Sequence, residues 1–165
     1  MKISARFDYA ATPHHVFAML ADADFQNLKC IATGALSHSV SVSTQGDRTL
    51  IISRRELPTE NFPAFVKSLV GTTLAVTETQ DWGPAGPDGT RQGRLTVELA
   101  GAPIDLAGTL SLAPAGRGSV ETVDGDLKAR VPLLGGQIEK AAAPAIESAI
   151  SVERETGQTW LRTGR

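Results

Sequence analysis

The chain has 165 residues and a formal net charge of -2, from 16 Lys and Arg residues against 18 Asp and Glu residues. This length supports one domain with its own core. The slightly negative net charge gives no basic surface of the kind that attracts nucleic acid, so a nucleic acid partner is disfavoured. No apolar run approaches membrane-spanning length, and Cys30, the only cysteine, excludes an intrachain disulfide and a thiolate metal cluster.

The first predicted element is a half-buried strand at residues 2–9. Apolar side chains alternate with polar ones there, so that one face carries Ile3, Ala5, Phe7 and Tyr9. Because this alternation differs from the continuous apolar core of a signal peptide, we expect a cytoplasmic protein. Two short helices follow. Thr12 as N-cap and Pro13 begin the first, and Asp24 begins the second, which closes near Gly34.

Six more strands are predicted before the C-terminal segment, because apolar or β-branched residues alternate with polar ones between turn signals. They are centred on Leu36–Val42, Leu50–Ile52, Thr73–Trp82, Leu95–Leu99, Ile104–Leu112 and Val120–Val131. Pro58 and Pro63 interrupt this series, and the apolar residues between Phe62 and Leu69 predict a short helix or an ordered loop before Gly71.

The chain is predicted to end in one long helix that begins near Leu133 and runs toward Trp160. Pro132 suits a first helical turn, and Gly135 and Gly136 permit close approach of the backbone to a sheet. Pro144 lies inside the helix, where it removes a backbone hydrogen bond, and predicts a kink near Lys140.

The element order resembles the helix-grip fold of the START-like superfamily over nearly the whole chain. Residues 12–17, Thr-Pro-His-His-Val-Phe, resemble the opening of such proteins, and residues 131–139 resemble the strand-to-helix junction of an uncharacterised bacterial family within the superfamily. The resemblance implies an α+β fold in which a seven-stranded antiparallel sheet wraps around the C-terminal helix. Members include lipid-transfer domains, pollen allergens and polyketide cyclases, so it also implies an interior cavity. It supplies no set of catalytic residues.

The terminal helix leaves two interpretations of this interior open. One face carries Ile138, Ala142, Ala145, Ala149, Thr156 and Trp160, with Ile146 and Glu153 at its margin. Small residues opposite a concave sheet either leave room for a ligand or let the helix and the sheet pack closely. We predict a ligand site lined by His38, Val40, Arg55, Trp82, Leu95, Val97, Leu106, Leu110, Ala142, Ala145 and Ala149.

Polar candidates for this site are few. His38 is in register with apolar neighbours, and either a core or a ligand role fits it. Arg55 could meet a ligand carboxylate or form a surface ion pair. Glu78 points inward only if the face it shares with Trp82 is concave. Adjacent histidines in a helix diverge, so His14 and His15 predict no metal site, and no cofactor is predicted.

Three functions remain open from the sequence. The first is binding or transport of a small hydrophobic or amphipathic molecule, the expected partner. The second is a cyclase, dehydratase or hydrolase that acts in the same cavity with His38 and an inward acid or arginine, for which at least two polar groups must converge. The third is a protein-interaction module with a closed core. The sequence contains neither a phosphate-binding loop nor a nucleophile elbow, which makes the enzyme hypothesis less favoured than the binding hypothesis.

Overall fold

A computed structural model of the protein describes residues 1–164. Seven strands form one antiparallel sheet in the order β1-β7-β6-β5-β4-β3-β2. The strands are β1 Lys2–Tyr9, β2 Ser37–Gln45, β3 Arg48–Pro58, β4 Thr73–Trp82, β5 Arg91–Leu99, β6 Ile104–Ala115 and β7 Gly118–Ala129. The predicted α+β helix-grip architecture is confirmed.

Four helices complete the fold: α1 Pro13–Leu20, α2 Ala23–Ala32, α3 Ala64–Val70 and α4 Gly135–Thr163. Thr12 caps α1 as predicted, since the His15 backbone N–H donates to its Oγ1 at 3.4 Å. The second helix begins at Ala23, slightly earlier than predicted, because the Asp22 carboxylate accepts from the Asp24 N–H at 2.8 Å and serves as the N-cap. The segment between Pro58 and Gly71, for which a short helix or an ordered loop is predicted, contains the helix α3.

The junction into α4 differs in detail from the prediction. Residues 132–134 form a turn, and the helix begins at Gly135 instead of near Leu133, which has a φ of 66° and is fully exposed. A Cβ on Gly135 would lie 2.5 Å from the carbonyl oxygen of Ala129, so this glycine does permit close approach. The same role for Gly136 is wrong, because a Cβ there would meet open space.

Alternation along the strands gives the sheet one buried face, and this face meets α4. The helices α1 and α2 fill one end of the interior, where Val16, Leu20 and Phe25 are almost fully buried. Phe25 also makes an edge-to-face contact with Trp160 of α4, with 5.6 Å between ring centroids. The other end of the interior is more open.

α4 is one helix through Pro144, and the kink near Lys140 stays a prediction. Across residues 1–164, α4 included, there is no helix with both the length and the apolar character needed to cross a membrane.

Candidate ligand-binding site

A cavity of about 220 Å³ lies between the concave face of the sheet and α4. Its walls come from β1, from β3 to β7, from the segment containing α3, and from α4. Most of the lining residues are aliphatic or aromatic, and the polar or charged ones are Arg55, Glu78, Gln80, Glu121 and Glu153. The interior is therefore an apolar space with a small number of polar groups.

The structure brings eight of the predicted site residues together around this cavity. They are Arg55, Leu95, Val97, Leu106, Leu110, Ala142, Ala145 and Ala149. His38, Val40 and Trp82 are not among the lining residues. His38 and Val40 are on β2, the one strand of the sheet that contributes no residue to the lining, whereas Trp82 is the last residue of β4, whose Leu74, Val76, Glu78 and Gln80 do line the cavity.

His38 and Val40 are separated from the cavity by their place in the sheet. Both are half-buried on β2, and α2 packs against that strand. Trp82 is fully buried and packs edge-to-face against Phe17, with 5.9 Å between ring centroids. Its indole N–H donates to Gln80 Oε1 at 2.9 Å, and Gln80 lines the cavity. Trp82 thus orients a lining residue.

The cavity face of α4 is rotated slightly from the predicted one. Ala142 and Ala149 are half-buried, whereas Ala145 is exposed and lies at the rim of the cavity. Ile146 and Glu153, which helical spacing places at the margin, both line the space. Small residues alternate with larger ones along this face, which leaves room beside the alanines.

The α3 segment forms a wall that the predicted site does not include. Phe62, Val66 and Val70 line the cavity. Thr59 fixes the base of the segment, since its hydroxyl donates to the carbonyl oxygen of Gly71 at 2.6 Å. The four-residue spacing of these side chains is visible in the sequence, but nothing in it indicates which surface they cover.

A buried network of charges centres on Glu78. The Lys29 Nζ donates to Glu78 Oε1 at 2.9 Å and to Glu153 Oε1 at 3.3 Å. Arg55 donates through Nη2 to Glu78 Oε2 at 2.7 Å, and Gln80 Nε2 donates to Glu78 Oε1 at 2.8 Å. Lys29 is fully buried and Glu78 nearly so. The face of β4 that carries Glu78, Gln80 and Trp82 is therefore the inward one.

The charges of this network determine its pKa values. Burial alone would raise the pKa of Glu78, but the adjacent cations of Lys29 and Arg55 lower it to about 2. Burial alone would lower the pKa of Lys29, and the carboxylates of Glu153 and Glu78 raise it instead. With Glu78 and Glu153 ionised, two carboxylates balance the two cations, as buried charges require.

Glu121 on β7 is a third carboxyl group at this end of the cavity. Its Oε2 accepts a hydrogen bond from the Tyr9 hydroxyl at 3.5 Å, and the residue is 3% exposed. Burial and the negative charges of Glu153 and Glu78 raise its pKa to about 8, although Lys29 and the Tyr9 hydrogen bond oppose this. At neutral pH Glu121 is therefore mainly a neutral acid that can donate its proton in a hydrogen bond.

The tyrosine and the second glutamate at this end follow the same pattern. Burial, and then the charges of Glu121 and Glu153, raise the pKa of Tyr9, so the phenol stays protonated. Burial also raises the pKa of Glu153 despite its contact with Lys29. The site thus offers the hydroxyl groups of Tyr9 and protonated Glu121 beside an ion network that includes Glu153. Within the described part of the chain, His, Cys, Asp and Glu side chains form no group able to hold a metal ion.

Comparison with known proteins gives a family model and a fold. Residues 4–161 match the model described as "Protein of unknown function (DUF2505)". An uncharacterized protein of Mycobacterium tuberculosis is 25% identical over 166 residues, which cover 93% of this chain and 92% of that protein.

Two solved structures illustrate the fold. A START superfamily protein from Mycobacterium smegmatis matches with a TM-score of 0.57 at 13% identity, covering 97% of this chain and 98% of the other. The Zhui aromatase/cyclase from Streptomyces sp. R1128 matches with a TM-score of 0.56 at 11% identity, covering 99% and 97%. The chain shares the START-like fold with these proteins.

Proposed function

We propose that the chain, which belongs to the DUF2505 family, binds a small, mostly apolar molecule in the cavity between its sheet and α4. The observation that carries this proposal is the apolar cavity itself, with its polar groups gathered on a few lining residues. Sites for small molecules are usually concave and mostly apolar, with a few polar groups that orient the ligand.

The volume of the cavity limits the size of the ligand. An apolar cavity of about 150 Å³ accommodates benzene, which has six heavy atoms. By simple scaling, the 220 Å³ here corresponds to about nine heavy atoms. A single or fused ring, or an alkyl chain of about eight carbons, matches this space. A two-chain lipid would require the α3 segment or α4 to move.

Ala149→Phe tests the location of the site. Ala149 lines the cavity one turn before Glu153, so a phenyl ring there should occupy the ligand's space. We expect a folded variant whose affinity for naphthalene, measured by fluorescence titration, falls at least tenfold. Ser148→Phe is the matched control, because Ser148 is exposed and does not line the cavity, and it should bind as the wild type does.

Two outcomes would contradict the proposal. If the interior packs closely in solution, Ala149→Phe should lose about 1–3 kcal/mol of stability through overpacking, and the wild type should not bind naphthalene. If Ala149→Phe stays folded and binds naphthalene normally, the ligand lies elsewhere. Mass spectrometry of organic extracts from the purified protein would supply the identity of any molecule it retains.

Catalysis in the same cavity is the second candidate function, and one observation favours it. Arg55, Glu78 and Glu121 converge on one pocket, and the pKa values of the two carboxyl groups differ by several units. Such separation is typical of acid and base pairs. His38 does not line this pocket. If the protein is an enzyme, we expect it to convert a bound carbonyl compound to product and the Glu121→Gln variant to lose this turnover. If it is a carrier, the ligand should be recovered unchanged.

A further inference from the structure

The polar end of the cavity has three carboxyl groups, Glu78, Glu121 and Glu153, but only two cations beside them in the described part of the chain, Lys29 and Arg55. Lys29 donates to Glu78 and Glu153, and it does not line the cavity. The terminal nitrogens of Arg55 donate to Thr33 and Glu78, whereas its buried Nε has no hydrogen-bond partner among the described residues. The charge of each cation is therefore already paired with a carboxylate of the protein.

Glu121 is the group left over from this network. Within residues 1–164 it forms no salt bridge, and its hydrogen-bond partner is the Tyr9 hydroxyl. It is nearly fully buried and lines the cavity. A buried carboxyl group without a cation takes up a proton, which leaves an O–H donor facing the ligand space.

We propose that the cavity selects neutral ligands whose polar group is a carbonyl or hydroxyl oxygen that accepts a hydrogen bond from Glu121, and that it discriminates against carboxylates of the same length. This inference rests on the proposed function and names the ligand class.

The charges argue against the two ionic alternatives. A ligand carboxylate would be a fourth acid beside Glu78, Glu121 and Glu153, and it would lose its hydration. The unpartnered N–H at Arg55 Nε belongs to a guanidinium whose charge Glu78 already balances, so the ligand would gain no unpaired cation. A ligand ammonium would also lose its hydration, and it would have to displace the proton of Glu121 to find a counter-ion. A neutral oxygen meets a donor already in place and carries no charge into the apolar space.

A matched set of eight-carbon ligands tests this selection by calorimetric titration at pH 7. The compounds are 2-octanone, octanoate and octylamine, with naphthalene as an apolar probe that has no polar group. We expect 2-octanone to bind at least tenfold more tightly than octanoate or octylamine. Lowering the pH should strengthen octanoate binding as the ligand takes up its own proton.

Two substitutions locate the donor. Glu121→Leu removes it, and we expect 2-octanone to bind about three- to tenfold more weakly, the range of one net hydrogen bond. Glu121→Gln keeps an N–H donor and should bind 2-octanone within about twofold of the wild type. Both variants should bind naphthalene normally, because its contacts are apolar.

The outcomes separate the two proposals. If octanoate or octylamine binds as tightly as 2-octanone, or if Glu121→Leu binds the ketone as the wild type does, the selection for neutral acceptors is overturned while naphthalene binding still supports the cavity. If the folded wild type binds neither naphthalene nor any member of the set, the proposed function fails, and this inference fails with it.

Discussion

Lys29→Met removes the buried cation on which two carboxylates depend. The Lys29 side chain is fully buried, and its Nζ lies 2.9 Å from Glu78 Oε1 and 3.3 Å from Glu153 Oε1. Breaking a buried pair by removing one partner costs about 3–5 kcal/mol, because the other charge stays buried. We expect the free energy of unfolding at pH 7 to fall by this amount.

Urea denaturation of three variants checks this reasoning. Lys2→Met is the matched control, because Lys2 pairs with Asp126 at 2.9 Å but its side chain is 84% exposed, and its loss should cost less than about 1 kcal/mol. Lys29→Met combined with Glu153→Gln should be more stable than Lys29→Met alone, since Glu78 keeps Arg55 and the uncompensated acid is gone.

The pH dependence of Lys29→Met has a definite sign. A carboxyl group with a lowered folded pKa contributes stability above its unfolded pKa and loses it as the pH falls through the folded pKa. For Glu78 this window runs from about 4.5 down to about 2. The gap between the wild type and Lys29→Met should therefore narrow across it. A loss below 1 kcal/mol at pH 7, or a gap that does not change with pH, would refute the buried network.

Two further predictions concern stability. Glu121 has a folded pKa raised to about 8, so as the pH rises the folded state keeps its proton longer than the unfolded state, and the free energy of unfolding of the wild type falls between pH 4.5 and 8. Glu121→Gln should remove this decrease when unfolding by urea is measured across the same pH range. Parallel pH dependences for the wild type and the variant would contradict the raised pKa. Gly135→Ala should destabilise the protein, because the added Cβ would lie 2.5 Å from the carbonyl oxygen of Ala129. Gly136→Ala adds a Cβ in open space, so in the same assay it should leave stability unchanged or raise it by up to about 1 kcal/mol through helix propensity. Equal effects of the two substitutions would mean that both glycines have the same environment.

The fold was predictable because its signals are local. Alternation in Thr73–Trp82 fixes both the strand and its two faces, and the N-cap at Thr12 fixes the start of α1. The errors are also local. The turn at residues 132–134, with Leu133 at a positive φ, delays α4 in a way that glycine and proline positions did not reveal.

The site was only partly predictable, because register and layer order decide which face meets the cavity. Leu95, Val97 and Leu106 alternate on central strands, and they line the space as such residues should. His38 shows the same alternation, but its strand is at the sheet edge and α2 packs against it. Alternation alone does not distinguish a central strand from a covered edge strand.

The ion network was beyond the reach of sequence patterns, because its members come from distant segments. Lys29 lies 49 positions from Glu78 and 124 from Glu153, and no periodicity links them. Fully buried lysines are rare unless they are paired, so nothing in the sequence around Lys29 marks it as an interior residue. Its partners become visible only when α2, β4 and α4 are assembled.

This network is difficult to explain by folding alone. Replacing a buried ion cluster with apolar residues of similar size is often neutral or stabilising by about 1–4 kcal/mol. Glu121 adds a buried acid without a cation, beside a cavity whose other walls are mostly apolar. Departures of this kind from the packing that best stabilises a fold tend to occur at functional sites. The most polar part of the interior is therefore where we expect the ligand's polar group to bind.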